Sequence, residues 1–430
     1  MVVKIKAFFS TFAGTLTTYG ARIHAFRPNA RRYLVYLIFF GIGMGVFQLL
    51  YNFYVLSLGY DESLLGNLIT VNNSTALLAA IPMGYLADRL GRKRAIMSST
   101  VAYATGVIVM VLFPGTIIFF AMNVVLGLAQ SLSTVVQSPF LMENSGEEER
   151  TYLFSLSFGL RMTAMFVGNW IGGYLPSWLG LWRHVPATSS AAYGLALGVI
   201  VMIIVLGLLP LSRLQGDHSG PEEDRALFMP LSYFREHFSM FSKLVLPILV
   251  TSFGAGLFMP FMNLFFRQVH GQSDQAIGTL FAWGSLAMAA GFLLAPAIAE
   301  KYGKIQLVVY TQLLSIPFLM MLGFSPWFGV AALAYYVRLA FMNMSNPVYQ
   351  TFVMERVKPE ARATAASLVS MAWSSGRAFS PTMSGYLQVQ YGFNPVFSLV
   401  IVLYSISVYL YWKYFWAQTP EVEGARAVAD

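Results

Sequence analysis

Two sets of apolar stretches, each about the 20 residues needed to cross hydrocarbon, repeat one another along this chain at a constant offset of 212 positions. Gly84-Tyr85-Leu86-Ala87-Asp88-Arg89-Leu90-Gly91-Arg92-Lys93 lies between two such stretches. Its acid-base-x-Gly-base core returns as Glu300-Lys301-Tyr302-Gly303-Lys304. The same offset pairs Gly66 with Gly278, Met142-Glu143 with Met354-Glu355, and Arg150 with Arg362. It also pairs Ser155-Leu156 with Ser367-Leu368 and Gly173-Tyr174-Leu175 with Gly385-Tyr386-Leu387. A register held without a gap over that length marks a duplication.

The first set of stretches falls near 33–57, 64–83, 95–112, 116–139, 152–177 and 191–211. The second falls near 243–267, 276–297, 305–323, 328–351, 363–388 and 395–416. Composition agrees with lipid as the solvent: 57% of residues are hydrophobic and 11% charged, against roughly 25% charged in soluble domains. Because lipid offers the backbone no hydrogen bonds, the reading is an all-α membrane protein of twelve transmembrane helices in two pseudo-symmetric six-helix bundles. Residues 1–32 read as a cytoplasmic lead-in, 33–211 as the N-terminal bundle and 212–242 as a cytoplasmic linker. Residues 243–416 read as the C-terminal bundle and 417–430 as a cytoplasmic tail.

The net charge of +8 could suggest nucleic acid, but Lys and Arg lie in short loops between apolar runs, where headgroups are their neighbours. Cytoplasmic termini place 22 of the 27 basic residues on the cytoplasmic side. Arg183 and Arg267 then fall outside, and Arg161, Arg338 and Arg377 fall within spans. A multi-pass protein of the plasma (cell inner) membrane, monomeric, is expected. The chain has no cysteine, which excludes disulfides and thiolate chemistry. No phosphate-binding Gly-x-x-x-x-Gly-Lys-Ser/Thr loop and no His-Glu-x-x-His occurs, so neither an enzyme nor a cofactor or metal is expected.

Gly84 to Lys93, set between the second and third of twelve duplicated spans, resembles the signature loop of the major facilitator superfamily. The resemblance covers nearly the whole chain. It implies that Gly84, Asp88, Arg89, Gly91 and Arg92 belong to a cytoplasmic charge cluster that holds the halves together when the cavity opens outward. Asp88 can meet the positive N-terminal end of a helix from the other half, for which Pro359 marks a candidate start. Arg92 is placed to pair with Glu143 and, in the repeat, Lys304 with Glu355, with Arg150, Glu300 and Arg362 completing the gating set. A solvated turn whose charges only fix topology is the plainer alternative.

The family fold implies that the first, fourth, seventh and tenth spans line a central cavity. At about 100° per residue, Asn123, Gln130, Thr134 and Gln137 share one stripe of span four. The offset carries that stripe to Tyr335, Met342, Asn346 and Tyr349 of span ten. Span one adds Gln48, Tyr51 and Asn52, and span seven adds Asn263 and Arg267. Polar glue between helices is the competing explanation. Every Asp and Glu lies in a loop or at a span end, and His24, His184, His218, His237 and His270 lie outside the spans. The interior charges are therefore three arginines. Arg338, near the midplane on the stripe of Tyr335, Asn346 and Tyr349, is the first choice to contact an anionic substrate, with backbone or amide pairing as the alternative. Arg377, one turn after Trp373, ranks second. Arg161, on the face of Gly168 and Gly172, ranks third as an interhelical donor.

Gly168-Asn169-x-x-Gly172-Gly173 resembles the Gly-Pro-x-x-Gly-Gly element of the drug-proton antiporter branch, with Asn169 in place of its proline. Ala164 stands where a small glycine is usual, and Asn123 where that branch carries an arginine. Ser380-Pro381-x-x-Ser384-Gly385 keeps the proline in the second half. The expected function is secondary transport of a small organic solute, anionic or amphipathic, by alternating access. Proton-coupled multidrug efflux is the alternative, supported by an interior rich in Met and aromatics. A non-transporting sensor or scaffold, and a lipid flippase, are further alternatives.

Overall fold

The computed structural model describes residues 26–215, 238–357 and 362–417, and among these it contains helix and no strand. Twelve long helices follow one another: α1 (Pro28–Ser57), α2 (Glu62–Leu78 continued by Ala80–Leu90), α3 (Arg92–Leu112), α4 (Thr116–Glu143), α5 (Glu147–Arg183) and α6 (Ser190–Ser212). Then come α7 (Phe238–Gln268), α8 (Asp274–Tyr302), α9 (Lys304–Phe324), α10 (Phe328–Arg356), α11 (Arg362–Tyr391) and α12 (Phe393–Trp416).

Seven of these are long and apolar enough to cross a membrane, and the bent α2 makes an eighth. Of the four others, α5, α10 and α11 are 37, 29 and 30 residues long and carry the three interior arginines. The helices run past the apolar stretches at most ends, because amphipathic turns continue them beyond the hydrocarbon.

The duplication is visible in the helix boundaries. Glu62, Arg92 and Thr116 begin helices, and so do their repeat partners Asp274, Lys304 and Phe328. Asp61 caps α2 by accepting from the Leu64 amide, and its counterpart Ser273 caps α8 by accepting from Ala276. The register slips only at the last helix of each half, where the six-residue α5–α6 connection corresponds to Gly392 alone.

The Gly84 to Lys93 segment, read as a loop, is helical up to Leu90. Gly91 (φ 79°) alone turns the chain, and Arg92 starts α3. Gly303 (φ 92°) repeats that turn between α8 and α9. Only the glycine of the acid-base-x-Gly-base pattern must adopt positive φ, which a side chain would resist. Further up, α2 bends by 58° at Ala79. Pro82 lacks the amide that would bond the Leu78 carbonyl, and its ring crowds that group. In α7, Pro260 sits in the 3-10 turn Met259–Phe261 that breaks the helix near its end.

Packing follows the repeat as well. Within the first half α1 packs on α5 and α6, α3 on α4, and α2 on α4; within the second, α7 packs on α11 and α12, α9 on α10, and α8 on α10. The halves meet through two equivalent crossings, α2 with α11 and α5 with α8. The face holding the Gly91 and Gly303 turns is called the basic face below, and the other the opposite face.

Candidate functional site

The contacts that join the halves concentrate toward the opposite face. At the α2–α11 crossing, a Cβ on Gly66 would collide with the Pro381 carbonyl and one on Gly385 with the Glu62 carbonyl. At the α5–α8 crossing, a Cβ on Gly173 would lie 2.7 Å from the Asp274 carbonyl, and one on Gly278 would lie 2.6 Å from that of Asn169. These small residues let backbones touch, as lipid-embedded helices require for close association.

Polar groups complete the closure. Asn52 of α1 donates to the Asn263 side-chain oxygen (2.8 Å) and to the Pro260 carbonyl (2.6 Å), while Asn263 donates to the Leu49 carbonyl (2.8 Å). Both asparagines are buried. Gln268 donates to Glu62 (2.5 Å), and the Thr70 and Thr382 hydroxyls meet at 2.9 Å. Asn52 and Asn263, expected on the cavity wall, here bond across the interface between the halves: Asn52 donates to Asn263, and Asn263 donates to the backbone of α1. A buried amide left unpaired would cost about 1–3 kcal/mol, so the pair favours the closed arrangement of this face.

Beside them lies an ion pair the sequence does not reveal. Arg267, in the last turn of α7, bonds Asp274, the first residue of α8. Asp274 is only 6% exposed, so the carboxylate at this span end is buried. Tyr193 of α6 donates its hydroxyl to Asp274 (2.8 Å) and accepts from Arg267 (2.9 Å). The Arg267 guanidinium also lies 3.4 Å from the centre of the Phe53 ring of α1. Two residues of one half thus grip a charge pair of the other. Low dielectric strengthens both the cation–π contact and the hydrogen bonds.

His270, in the turn between α7 and α8, packs against the rings of Phe265, Phe266 and Phe328. Burial lowers its pKa from the ordinary 6.5. The folded ring therefore resists protonation while the unfolded ring accepts it, so stability is full above about pH 6.5 and declines as pH falls below it. Between pH 7 and pH 5 the apparent melting temperature of the purified protein is expected to fall more than that of His270→Gln. Equal declines would contradict this.

On the basic face the described ion pairs stay within one half. Arg92 bonds Asp88 (2.7 Å) and Glu143 (3.1 Å). Partial burial works against its charge, and the hydrogen bonds it donates to Glu143 and Asp88, with their negative charges, more than offset that, leaving the guanidinium pKa raised. Lys304 pairs with Glu355, at the positions the repeat requires. Asp88 is exposed and bonds its own half, rather than the start of α11. Pro359, offered as that helix start, lies outside the described residues, as do the side chains of Arg150 and Arg362. Arg89 sits over the Tyr85 ring (4.5 Å), Glu300 is exposed, and Gly84 has open space where a Cβ would be.

Between these two faces lie the residues of the polar stripes. Gln48, Gln130 and Thr134 are exposed within the bundle's helices, and Gln137 and Asn346 are half-buried. Others turn to neighbouring helices instead: Asn123 donates to the Tyr51 hydroxyl (2.7 Å), and Tyr349 donates to the Leu244 carbonyl (2.8 Å). Tyr335 is buried among Phe266, Phe281 and Tyr336. For these the helix-glue explanation describes the contacts made. A cleft of about 320 Å³ between α5, α8 and α10, lined by Tyr174, Gln275, Thr279, Phe328 and Tyr336, contains none of the interior arginines.

The arginines differ in kind. Arg338 is 3% exposed, over the rings of Phe258 (4.5 Å) and Tyr404 (5.1 Å), and its Nε and one Nη have no partner. Arg377 is exposed although it lies midway along α11, 6.0 Å from the half-buried Trp373 ring, with Asn73 of α2 donating to its carbonyl. Arg161 is half-buried, 5.1 Å from the Phe158 ring, with an unpartnered Nε. Among the described residues every carboxylate lies near a helix end, and no group of His, Asp or Glu could hold a metal ion.

Comparison with known proteins places this geometry. A family model described as Major Facilitator Superfamily matches residues 33–381 and 244–430. The chain is 22% identical to the uncharacterized MFS-type transporter YxaM of Bacillus subtilis over 86% of this chain and 92% of that one. It is 20% identical to multidrug resistance protein 1 of the same organism, over 79% and 84% respectively. Among solved structures, a bacterial homologue of the human lysosomal transporter Spinster, inward-facing and unoccupied, superposes with a TM-score of 0.70 at 14% identity, covering 89% of this chain and 95% of that one. The inward-open xylose transporter XylE of E. coli gives 0.68 at 14% identity, covering 90% and 96%.

Proposed function

We infer, for a chain that belongs to the Major Facilitator Superfamily and is a secondary membrane transporter, that its cargo is a small organic solute, anionic or amphipathic, moved by alternating access. The observation that carries this reading is the charge of the interior. Arg161, Arg338 and Arg377 occupy helix interiors, and no described carboxylate neutralises them there. A guanidinium within hydrocarbon depth costs several kcal/mol and is retained where it serves a pathway or ligand.

The basic face is the cytoplasmic one on the positive-inside rule, in the plasma membrane, with both termini inside. The arrangement is then inward-facing: the opposite face is shut by the Asn52–Asn263 pair and the Tyr193–Asp274–Arg267 group, while the described ion pairs of the cytoplasmic turns link neither half to the other. Asp88 and Arg92, paired within their own half here, engage the other half when the protein opens outward. Both halves that would rock against one another belong to one chain, so a monomer suffices for the cycle.

Multidrug efflux is a second reading, favoured by the multidrug relatives and by the half-buried Trp373 ring beside Arg377. Counterflow in proteoliposomes with matched anionic, neutral and cationic solutes, run with and without a pH gradient, separates the two. Anion flux that does not require protons supports the first reading. Proton-driven flux of lipophilic cations would overturn it.

A further inference from the structure

Resting on that transport reading, we propose that the cargo is an anionic amphiphile with an alkyl tail, bound with its headgroup at Arg377 and its tail lying out between α2 and α11 into the basic-face leaflet.

The repeat puts the two seams between the halves in one register, so their differences are informative. At the α5–α8 seam, ring contacts carry the crossing toward the basic face. Beyond the Gly173–Asp274 contact come Phe166 with Trp283 (6.0 Å between ring centres) and Phe158 with Phe292 (6.4 Å). At the α2–α11 seam the offset puts Ala378 and Val71 at the first of these pairs, and Ser370 and Ala80 at the second. None of the four carries a ring. The last described hydrogen bond of this seam runs from Asn73 to the Arg377 carbonyl (3.3 Å). Arg377 lies only about two turns beyond Gly385 along α11, whereas Phe158 lies about four beyond Gly173 along α5.

The helices part beyond that bond. Helix α8 runs unbroken through Leu294, but the counterpart of Leu294 on α2 is Pro82, where the helix bends by 58°. The arm past the bend, Ala80–Leu90, packs on α3 and α4. At the bend Leu78 and Ile81 are 76% and 69% exposed. On α11, Met371 shares a face with Ala378 and Gly385 at seven-residue spacing, and is exposed where those two are buried. Ser367 and Ser370 beside it are exposed as well. Apolar side chains on both helices thus flank a slot that leads inward from lipid.

At its inner end stands a cation. Arg377 lies on α11 between the face that meets α7, where Gly376 abuts Ser252, and the face that meets α2 through Pro381 and Gly385. Its side chain is exposed near the half-buried Trp373 ring, and no carboxylate among the described residues pairs with it. An anionic headgroup supplies the missing countercharge and accepts from the guanidinium. An alkyl tail covers Leu78, Ile81 and Met371, which a fully water-soluble anion leaves bare.

The test uses the full-length protein in nanodiscs of zwitterionic lipid, with thermal stabilisation as the readout. Dodecyl phosphate and dodecanoate, below their micellar concentrations, are the probes. Dodecanol, methyl phosphate and dodecyltrimethylammonium are the controls. The probes should stabilise at concentrations at least about tenfold below those at which any control does. Arg377→Gln should weaken the probes about tenfold or more, and Arg377→Lys should restore part. Ala80→Phe with Ser370→Phe, which gives this seam the rings that α5–α8 carries, should also weaken them about tenfold. Ser370→Phe alone, at an exposed position, should weaken them a fewfold and serves if the double variant does not fold. A preference for dodecyl phosphate over dodecanoate, or the reverse, identifies the headgroup.

Controls as potent as the probes, no stabilisation by either probe, or probe potency unchanged in Arg377→Gln or in every ring-bearing variant would overturn the proposal. Counterflow separates this failure from that of the transport reading. Methyl phosphate flux without probe binding removes this site and leaves transport standing. Selective probe binding without flux of any solute removes transport and leaves the site.

Discussion

Valine at Gly385 is expected to break the closure of the opposite face. Its side chain would have to occupy the space of the Glu62 carbonyl, which belongs to helical backbone and cannot swing away. Overpacking of this kind costs about 1–3 kcal/mol, enough to change the ratio of closed to open conformers by about five- to 150-fold. The chain has no cysteine, so a Thr70→Cys/Thr382→Cys pair, placed where two hydroxyls lie 2.9 Å apart, provides a clean reporter. Oxidation should cross-link the halves readily when Gly385 is intact and at least about tenfold more slowly with valine present. Cleavage in the linker followed by gel separation would show it. Equal rates would mean that α2 and α11 do not need this contact.

The Arg267–Asp274 pair should show the second large effect. Arg267→Met leaves a buried carboxylate without its cation, a change that typically costs about 3–5 kcal/mol. The Tyr193 hydroxyl, donating at 2.8 Å, compensates only part of that loss. Replacing both residues, Arg267→Met with Asp274→Leu, should recover most of the apparent thermal stability, because neither charge then remains buried. Additive losses in the double variant would contradict the pairing.

The fold was legible in sequence to an unusual depth because duplication supplies an internal control. Arg92–Glu143 and Lys304–Glu355 form at the positions the offset requires, and the glycine of each turn holds the same conformation. What the offset could not supply was the identity of neighbours. Helical periodicity places Asn123 and Tyr349 on a face, but that face meets adjacent helices as well as the cavity, and both side chains bond to neighbours. Asp274 read only as one of the acids at span ends, because its burial depends on Tyr193, 81 residues away on another helix. The 58° bend of α2 was not read from the sequence, although Pro82 supplies its local cause. Among the arginines, periodicity favoured Arg338 over Arg377, whereas exposure reverses their order of access: α7 and α12 cover Arg338, and Arg377 stays open.

The central claim is that two rigid halves rock about a shared interior, and electron–electron distance measurements in nanodiscs test it most directly. One label pair at Trp182 and Tyr391 spans the opposite face, and another at Arg89 and Lys301 spans the basic face, all four positions being exposed. On introducing Gly385→Val, the Trp182–Tyr391 distance should lengthen while the Arg89–Lys301 distance shortens. Distances that move together, or an opposite face that opens while the basic face stays fixed, would contradict the account.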